Sequence, residues 1–322
     1  MWDLLLEPFQ YNYMVKAILL SVAVGGICAF MSSYLMLKGW SLIGDALSHS
    51  VVPGVAIAYA LSLPYALGAF FSGILAALSI LWIKSITKLR EDAVIGFIFT
   101  TFFALGLLII SLNPTSVNVQ DIILGNILGI ADEDVTQVAI IIVITLSLLL
   151  LFWKDLLLVF FDETHATSVG LSPLRYKVLF FTLLSACVVA ALQTVGAILV
   201  IAMVITPGAT AYLLTDRFGK LATIAVILGT TTSIVGVYLS YYLDGATGGL
   251  IVCLQTAIFL LAFCFHRNMV SYAGKVRYKM GKIRRQTMAD IINWFVEPFL
   301  YPFMQNALFT ALIVAIICAV LS

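Results

Sequence analysis

Charge is what this sequence has least of. Only 10% of its 322 residues are charged, while 62% are hydrophobic; soluble domains carry about 25% charged residues. So little charge cannot cover a surface that faces water, and the excess apolar surface requires lipid as its solvent. The composition therefore excludes a soluble globular protein and predicts an all-α, polytopic membrane protein.

Catalytic and nucleotide-binding motifs are also missing. The sequence holds no HExxH pair, no Ser/His/Asp arrangement and no GxxxxGK[ST] phosphate loop. We therefore expect that the chain is not an enzyme, and that any ATP that drives it is bound by a separate chain. Nothing predicts a nucleic-acid partner. The cysteines have no CxxC or zinc-type spacing and are interpreted as small buried hydrophobes; they are Cys28, Cys187, Cys253, Cys264 and Cys318.

Ten apolar stretches approach the roughly 20 residues that a membrane-spanning helix needs. They lie at roughly 14–37, 44–62, 65–83, 94–112, 136–153, 178–199, 200–215, 220–242, 249–266 and 299–321. The seventh is short and contains Thr206-Pro207-Gly208, which predicts a broken or tilted helix. Backbone groups freed by a break must be satisfied by protein or line a wet cavity. This segment is therefore either part of a pathway or a proline kink supported by neighbouring helices.

Basic residues in the loops predict the orientation of the spans, because cytoplasmic loops are rich in Lys and Arg. The stretch 84–90 is basic, and 267–285 carries seven basic residues, so both are expected to be cytoplasmic. The stretch 111–134 is acidic and is expected to be external. The loop at 154–177 is then internal. Together the loops predict nine core spans and an external N-terminus.

The end of the sequence echoes its beginning. Residues 297–322 match residues 7–32 at an offset of 290, with 11 identities in 26 positions and a shared E-P-F-x-Y-x-x-M start. The last span is therefore interpreted as the first helix of a second, truncated copy. Nine core spans would insert the two copies in opposite orientations. Either the copy is inverted, or the first three candidate spans are really two.

Asp45 and His49 are ionisable residues inside the second predicted span. Such residues cost about 2.5–3.5 kcal/mol each to insert, which makes them functional candidates. At positions i and i+4 their side chains share one helix face. A carboxylate and an imidazole together suit a divalent cation such as manganese, iron or zinc. The alternative is an Asp–His hydrogen bond that holds two helices together.

The internal loop contains a predicted short helix that starts near Asp162 and Glu163 and stops at Gly170. It is either an ordinary connector or a docking element for a soluble partner. His165 in this loop and His266 at a helix end are interpreted as solvated or interfacial residues.

Several ordered motifs resemble the permeases of bacterial ABC importers for manganese, zinc and iron, known as the cluster A-I family. The resemblance covers about residues 10–265. Its motifs are GDALSHSVVPG at 44–54, ED at 91–92 with GFIFT at 96–100, GNILG at 125–129, and VGAILV at 195–200 leading into TPGATA at 206–211. The resemblance implies a type II importer-like permease in the bacterial cytoplasmic (inner) membrane, with about nine core transmembrane helices plus one C-terminal extra helix.

The resemblance also implies partners and residue roles. Two permeases, identical or different, would enclose the channel above a dimer of cytoplasmic ABC ATPases, and an extracytoplasmic metal-binding protein would deliver the ion. No cofactor is bound permanently; the divalent metal, manganese first and then iron or zinc, is cargo, and ATP lies on the partner. The implied roles are metal contact for Asp45 and His49, coupling to the ATPase for Phe161, Asp162, Glu163, Ala166 and Gly170, and channel gating for Thr206 and Pro207.

The sequence departs from the family beyond the ninth span. The predicted organisation is a permease domain at 1–266, a basic cytoplasmic linker at 267–290 and an extra transmembrane helix at 291–322. That helix is either a remnant or mimic of a second permease's first helix, or a lipid-facing helix without a transport role. The competing functional class is an ion-gradient-driven secondary metal transporter or a channel, which would need no ATPase.

Overall fold

The computed structural model describes residues 7–40, 42–112 and 132–265, and all regular structure in these ranges is helical. A 3-10 helix at Glu7–Gln10 precedes the α-helices, which are α1 (Asn12–Lys38), α2 (Ile43–Ser50), α3 (Val52–Ala60), α4 (Tyr65–Ile86), α5 (Glu91–Leu112), α6 (Asp132–Phe161), α7 (Glu163–Ser168), α8 (Pro173–Val195), α9 (Ala197–Leu214), α10 (Phe218–Leu243) and α11 (Thr247–Phe265).

The chain divides into two compact units, Met1–Phe263 and Cys264–Ser322, and the description below concerns the first. Four features of the sequence analysis lie outside the described residues: the linker at 267–290, the extra helix at 291–322, His266 and most of the acidic stretch 111–134. Their predicted roles stay predictions.

Membrane-spanning helices make up the fold, as the sequence predicts. Among the described residues, seven helices are long and apolar enough to cross a bilayer, namely α1, α4, α5, α6, α8, α10 and α11. The other two predicted core spans are present in a different form. The stretch 44–62 is divided between α2 and α3, and 200–215 corresponds to α9, a shorter apolar helix.

Helix α1 lies at the centre of the bundle and packs against α9 and α10. Small residues allow the close approach to α10: a Cβ atom built on Gly25 would lie 2.4 Å from Ser233 Oγ and 3.0 Å from the Gly229 carbonyl oxygen. This is the packing by which helices associate in lipid, where no hydrophobic effect drives them together. Most of the α1 surface is buried by this packing.

The second span is interrupted at Val51, between α2 and α3. The cause is Pro53, which has no N–H group to continue the hydrogen-bond ladder. The Ser72 hydroxyl on α4 donates to the Ser50 carbonyl oxygen at 2.6 Å, so a neighbouring helix satisfies a carbonyl at the break. Residues 43–60 would rise about 27 Å as helix, close to the hydrocarbon thickness of about 30 Å, and Val51 lies near the middle of this stretch.

The sequence predicts a broken or tilted helix at Thr206-Pro207-Gly208, and the broken form is wrong. Helix α9 runs without interruption from Ala197 to Leu214, with Pro207 inside it. The Gly208 N–H group donates to Ser32 Oγ on α1 at 3.1 Å, and the Ser32 hydroxyl donates onward to the Ile205 carbonyl oxygen at 3.1 Å. A neighbouring helix therefore supports the proline, which is the alternative that the sequence left open.

Basic side chains are concentrated at one end of the bundle, the end that carries α7. Nine of the ten Lys and Arg residues in the described ranges lie at or near that end, and the exception is Lys16 close to the start of α1. The chain order of the helices places the start of α1 at the opposite end. By the positive-inside rule we expect the α7 end to be cytoplasmic and the start of α1 external.

Gly54→Ala tests a close contact between α3 and α4. A Cβ atom on Gly54 of α3 would lie 2.0 Å from the Gly68 carbonyl oxygen of α4. Relief of this clash would require the backbone of one helix to move, which costs more free energy than a change of side-chain rotamer. We expect a loss of stability of about 1–3 kcal/mol or more, measured as a lower thermal unfolding midpoint in detergent. Gly219→Ala is the matched control, because nothing lies within 4 Å of its added Cβ. Equal midpoints for the two variants would contradict this packing.

Candidate functional site

Asp45 and His49 are brought together as the sequence predicts. Both lie on α2, and His49 Nε2 is 3.3 Å from Asp45 Oδ1. The imidazole packs against Phe99 and Phe103 of α5, with ring centroids 5.2 and 5.3 Å away. The structure thus presents a carboxylate and an imidazole as an oriented pair. Both residues lie on one helix, so the contact between them does not by itself hold two helices together.

The surroundings of the pair make it unusual. It directly precedes the break at Val51, in the middle of the second predicted span. The His49 and Asp45 side chains are 32% and 39% exposed. Lipid hydrocarbon cannot solvate ionisable groups, so this exposed side needs water or a further protein surface next to it.

The pair consists of two side chains of the kinds that bind divalent metals, a carboxylate and an imidazole. In the parts of the chain that the structure describes, no group of three or more His, Cys, Asp or Glu side chains is close enough to hold a metal ion. Tight binding takes more ligands than two. An ion at this site would therefore be held weakly by one protomer, or would take further ligands from another source.

Helix α7 is the short helix that the sequence predicts, and its ends are built by predicted residues. Asp162 caps its start by accepting hydrogen bonds from the N–H groups of Thr164 at 2.9 Å and His165 at 3.0 Å. Gly170 follows its end with φ +90°, a conformation that favours glycine. Ala166 is fully buried and seats the helix on the bundle.

Glu163 fastens α7 to two transmembrane helices. Its Oε1 lies 2.6 Å from Lys38 Nζ at the end of α1, and its Oε2 lies 2.6 Å from Lys177 Nζ on α8. Burial raises the pKa of the Glu163 carboxyl, but the hydrogen bonds from Lys177 and Lys38 outweigh it and hold that pKa below its ordinary value. The three residues are called the Glu163 clamp below.

Phe161 differs from the other predicted coupling residues. It ends α6, immediately before α7, and 77% of its surface is exposed. Val169, just after α7, is 62% exposed. The other four predicted residues cap, seat, fasten or end the helix. Phe161 therefore offers the apolar side chain that a partner at this end of the bundle would cover.

Thr206 and Pro207 lie on α9 between α10 and α11. They border a cavity of about 10 Å³ together with Thr210, Thr232 and Gln255, which is room for about one water molecule. In this conformation they border packed protein. Helix α9 nevertheless contacts the helix of the Asp–His pair, since a Cβ atom on Gly44 would lie 3.0 Å from Val204 Cγ1.

Four structural supports were not visible in the sequence: Ser32, Lys38, Ser72 and Lys177. Each acts through a partner at least 14 positions away in the chain. A serine or lysine in an apolar helix carries no signal that identifies such a partner.

Comparison with known proteins gives consistent results. Residues 10–266 match the ABC 3 transport family. A probable iron transport system membrane protein of Haemophilus influenzae is 83% identical over 265 residues, covering 82% of this chain and 94% of that protein. The manganese transport system membrane protein MntB of Synechocystis is 49% identical over 264 residues, covering 81% and 85%. The solved structure of PsaBC from Streptococcus pneumoniae in complex with Fab is 34% identical, with a TM-score of 0.73, and the match covers 82% of this chain and 95% of that one.

Glu163→Gln tests the clamp through its pH dependence. Because the pKa of Glu163 is lowered in the folded state, the clamp stabilises the fold at neutral pH, and this contribution is lost as pH falls below about 4. We expect the variant to unfold at a lower temperature than wild type at pH 7. The difference should shrink towards zero in acid.

The measurement is thermal unfolding of the purified chain from pH 7 to pH 3. Asp216→Asn, which removes an exposed carboxylate outside the clamp, should show no such pH-dependent difference. A Glu163→Gln effect that is independent of pH would show that charge is not what holds α7.

Proposed function

This chain belongs to the ABC 3 transport family, and on that premise we propose that it is the membrane-spanning subunit of an ATP-driven importer of divalent metal ions. The observation that carries the proposal is the half-exposed Asp45–His49 pair beside a helix break in the second predicted span. Broken helices near the bilayer midplane are typical of ion and substrate sites in transporters. Hydrolysis of ATP is assigned to a separate ATPase chain.

The cargo ion passes Asp45 and His49. Carboxylate oxygen and imidazole nitrogen are suitable ligands for a borderline divalent cation. The negative end of the α2 dipole adds to the attraction, because His49 lies in the last turn of that helix. Two ligands per protomer hold the ion weakly, which suits an ion in transit. A second permease, identical or different, would cover the exposed side of the pair and contribute its own ligands.

Iron and manganese are the expected cargo, since the relatives at 83% and 49% identity are named for iron and for manganese transport. Zinc is the competitor that the same ligands would accept, because affinity at such a site follows the Irving–Williams order. An extracytoplasmic metal-binding protein that delivers the ion would supply part of the selectivity.

Asp45→Ala and His49→Ala test the metal pathway. Each variant loses one of two ligands, so we expect manganese and iron uptake by metal-starved cells to fall by about tenfold or more. Ser48→Ala is the matched control: it lies between the two on α2, and its hydroxyl bonds only to the Gly44 carbonyl oxygen of its own helix. Normal uptake by both ligand variants would overturn the site.

Asp45→Asn separates the metal site from the structural alternative. The amide can still hydrogen-bond to His49, but it lacks the negative charge that attracts a cation. If the pair binds metal, the variant should assemble with normal thermal stability and fail to transport. If the pair is only a structural hydrogen bond, uptake by Asp45→Asn should remain close to wild type.

Phe161→Ala tests the coupling surface. Because Phe161 is exposed beside α7, its loss should weaken capture of the ATPase in co-purification while the thermal stability of the chain is unchanged. Leu89→Ala is the control, since Leu89 is 54% exposed in the α4–α5 loop at the same end. Metal transport by the chain alone in vesicles without ATP would instead establish the secondary transporter or channel.

A further inference from the structure

The proposed importer needs a physical link between α7, where an ATPase would act, and the Asp45–His49 pair inside the membrane. The described contacts form one continuous series between them. We propose that Ser32 is a positioning residue of this transporter, which makes the segment of α9 beside the metal pair move with α1. This inference rests on the proposed function.

The first step of the series is the Glu163 clamp. Lys38, the last residue of α1, is 2.6 Å from Glu163 on α7. A displacement of α7 is therefore transmitted to the end of α1 through a short ion pair. Tyr34, one turn earlier on α1, is fully buried and donates to the Trp153 carbonyl oxygen of α6 at 3.2 Å. This end of α1 is held on two sides.

The second step is Ser32 itself. It lies six residues before Lys38, about 9 Å along the helix axis, and its side chain is fully buried. Its hydroxyl accepts from Gly208 N and donates to the Ile205 carbonyl oxygen, both at 3.1 Å. These two bonds bracket Pro207, where α9 lacks a backbone donor. A Cβ atom on Gly208 would lie 2.7 Å from the Ser32 carbonyl oxygen, so the two backbones are also in contact.

The third step leads from α9 to the metal pair. Ile205, whose carbonyl oxygen accepts from Ser32, also turns its side chain towards α2. A Cβ atom on Gly44 would lie 3.4 Å from Ile205 Cγ1 and 3.0 Å from Val204 Cγ1. Gly44 directly precedes Asp45. The same residue of α9 is therefore held by α1 on one side and contacts the metal-pair helix on the other.

Ser32→Ala removes both hydrogen bonds and adds no atom. The experiment uses the complete transporter in proteoliposomes, with the metal-binding protein present, and measures manganese ions transported per ATP hydrolysed. We expect this ratio to fall by about threefold or more, while complex yield and ATP hydrolysis stay near wild type. Ser33→Ala is the control: Ser33 is equally buried, but its hydroxyl bonds to the Ala29 carbonyl oxygen of α1 itself, so its ratio should not change.

A purely structural role gives a different result: yield or thermal stability falls, and transport and hydrolysis decline together at an unchanged ratio. That result would overturn the proposal. Lys38→Gln tests the first step independently, including the case in which Ser32→Ala does not assemble. It should also lower the number of manganese ions transported per ATP hydrolysed. The double variant Ser32→Ala/Lys38→Gln should lower this ratio no further than the more affected single variant does, because both residues lie on one series of contacts. A normal ratio in Lys38→Gln, or additive losses, would contradict the proposal.

The wild type and Asp45→Ala separate this inference from the proposed function. If wild type transports manganese with ATP and Asp45→Ala does not, the function stands, and the Ser32 result judges the inference alone. If wild type shows no ATP-dependent transport, the proposed function itself fails.

Discussion

Hydrocarbon offers no hydrogen bonds, and the rest of this structure follows from how the protein meets that constraint. Each interruption of a helix must be repaired by protein. At the break before Pro53, the Ser72 hydroxyl donates to the Ser50 carbonyl oxygen. Beside Pro207, the Ser32 hydroxyl bonds to backbone groups on either side of the proline. In both cases the hydroxyl comes from a neighbouring helix. The two prolines nevertheless have opposite effects on their helices. One span is divided in two, and the other stays whole.

The same constraint explains the positions of the few charged side chains in the bundle. Almost all described basic residues lie at the α7 end, where they reach water and can fasten α7 to the membrane helices. Asp45 and His49 are ionisable and partly exposed within the second predicted span. In lipid, their exposed side needs water or a further protein surface next to it.

The five residues predicted to couple α7 to a partner have different positions in the structure. Asp162, Ala166 and Gly170 shape and seat the helix, and Glu163 fixes it to α1 and α8. Phe161 remains free for a partner. A motif read along the sequence groups all five as coupling residues. Their burial and hydrogen bonds separate those that build the surface from the one that presents an apolar side chain on it.

By itself the sequence determined the all-helical membrane class, the approximate position of every described span, the Asp45–His49 pairing and the short helix after Phe161, because each depends on composition or on neighbours within one helical turn. It could not determine which proline breaks its helix, which residues hold α7, or that α9 packs against α2, the helix that carries Asp45 and His49. Those outcomes depend on side chains such as Ser32, 173 positions away from its acceptor at Ile205. Only the packing of the bundle brings such partners together. Lipid supplies no hydrogen-bond partners, so backbone groups without a partner in their own helix must bond to another helix.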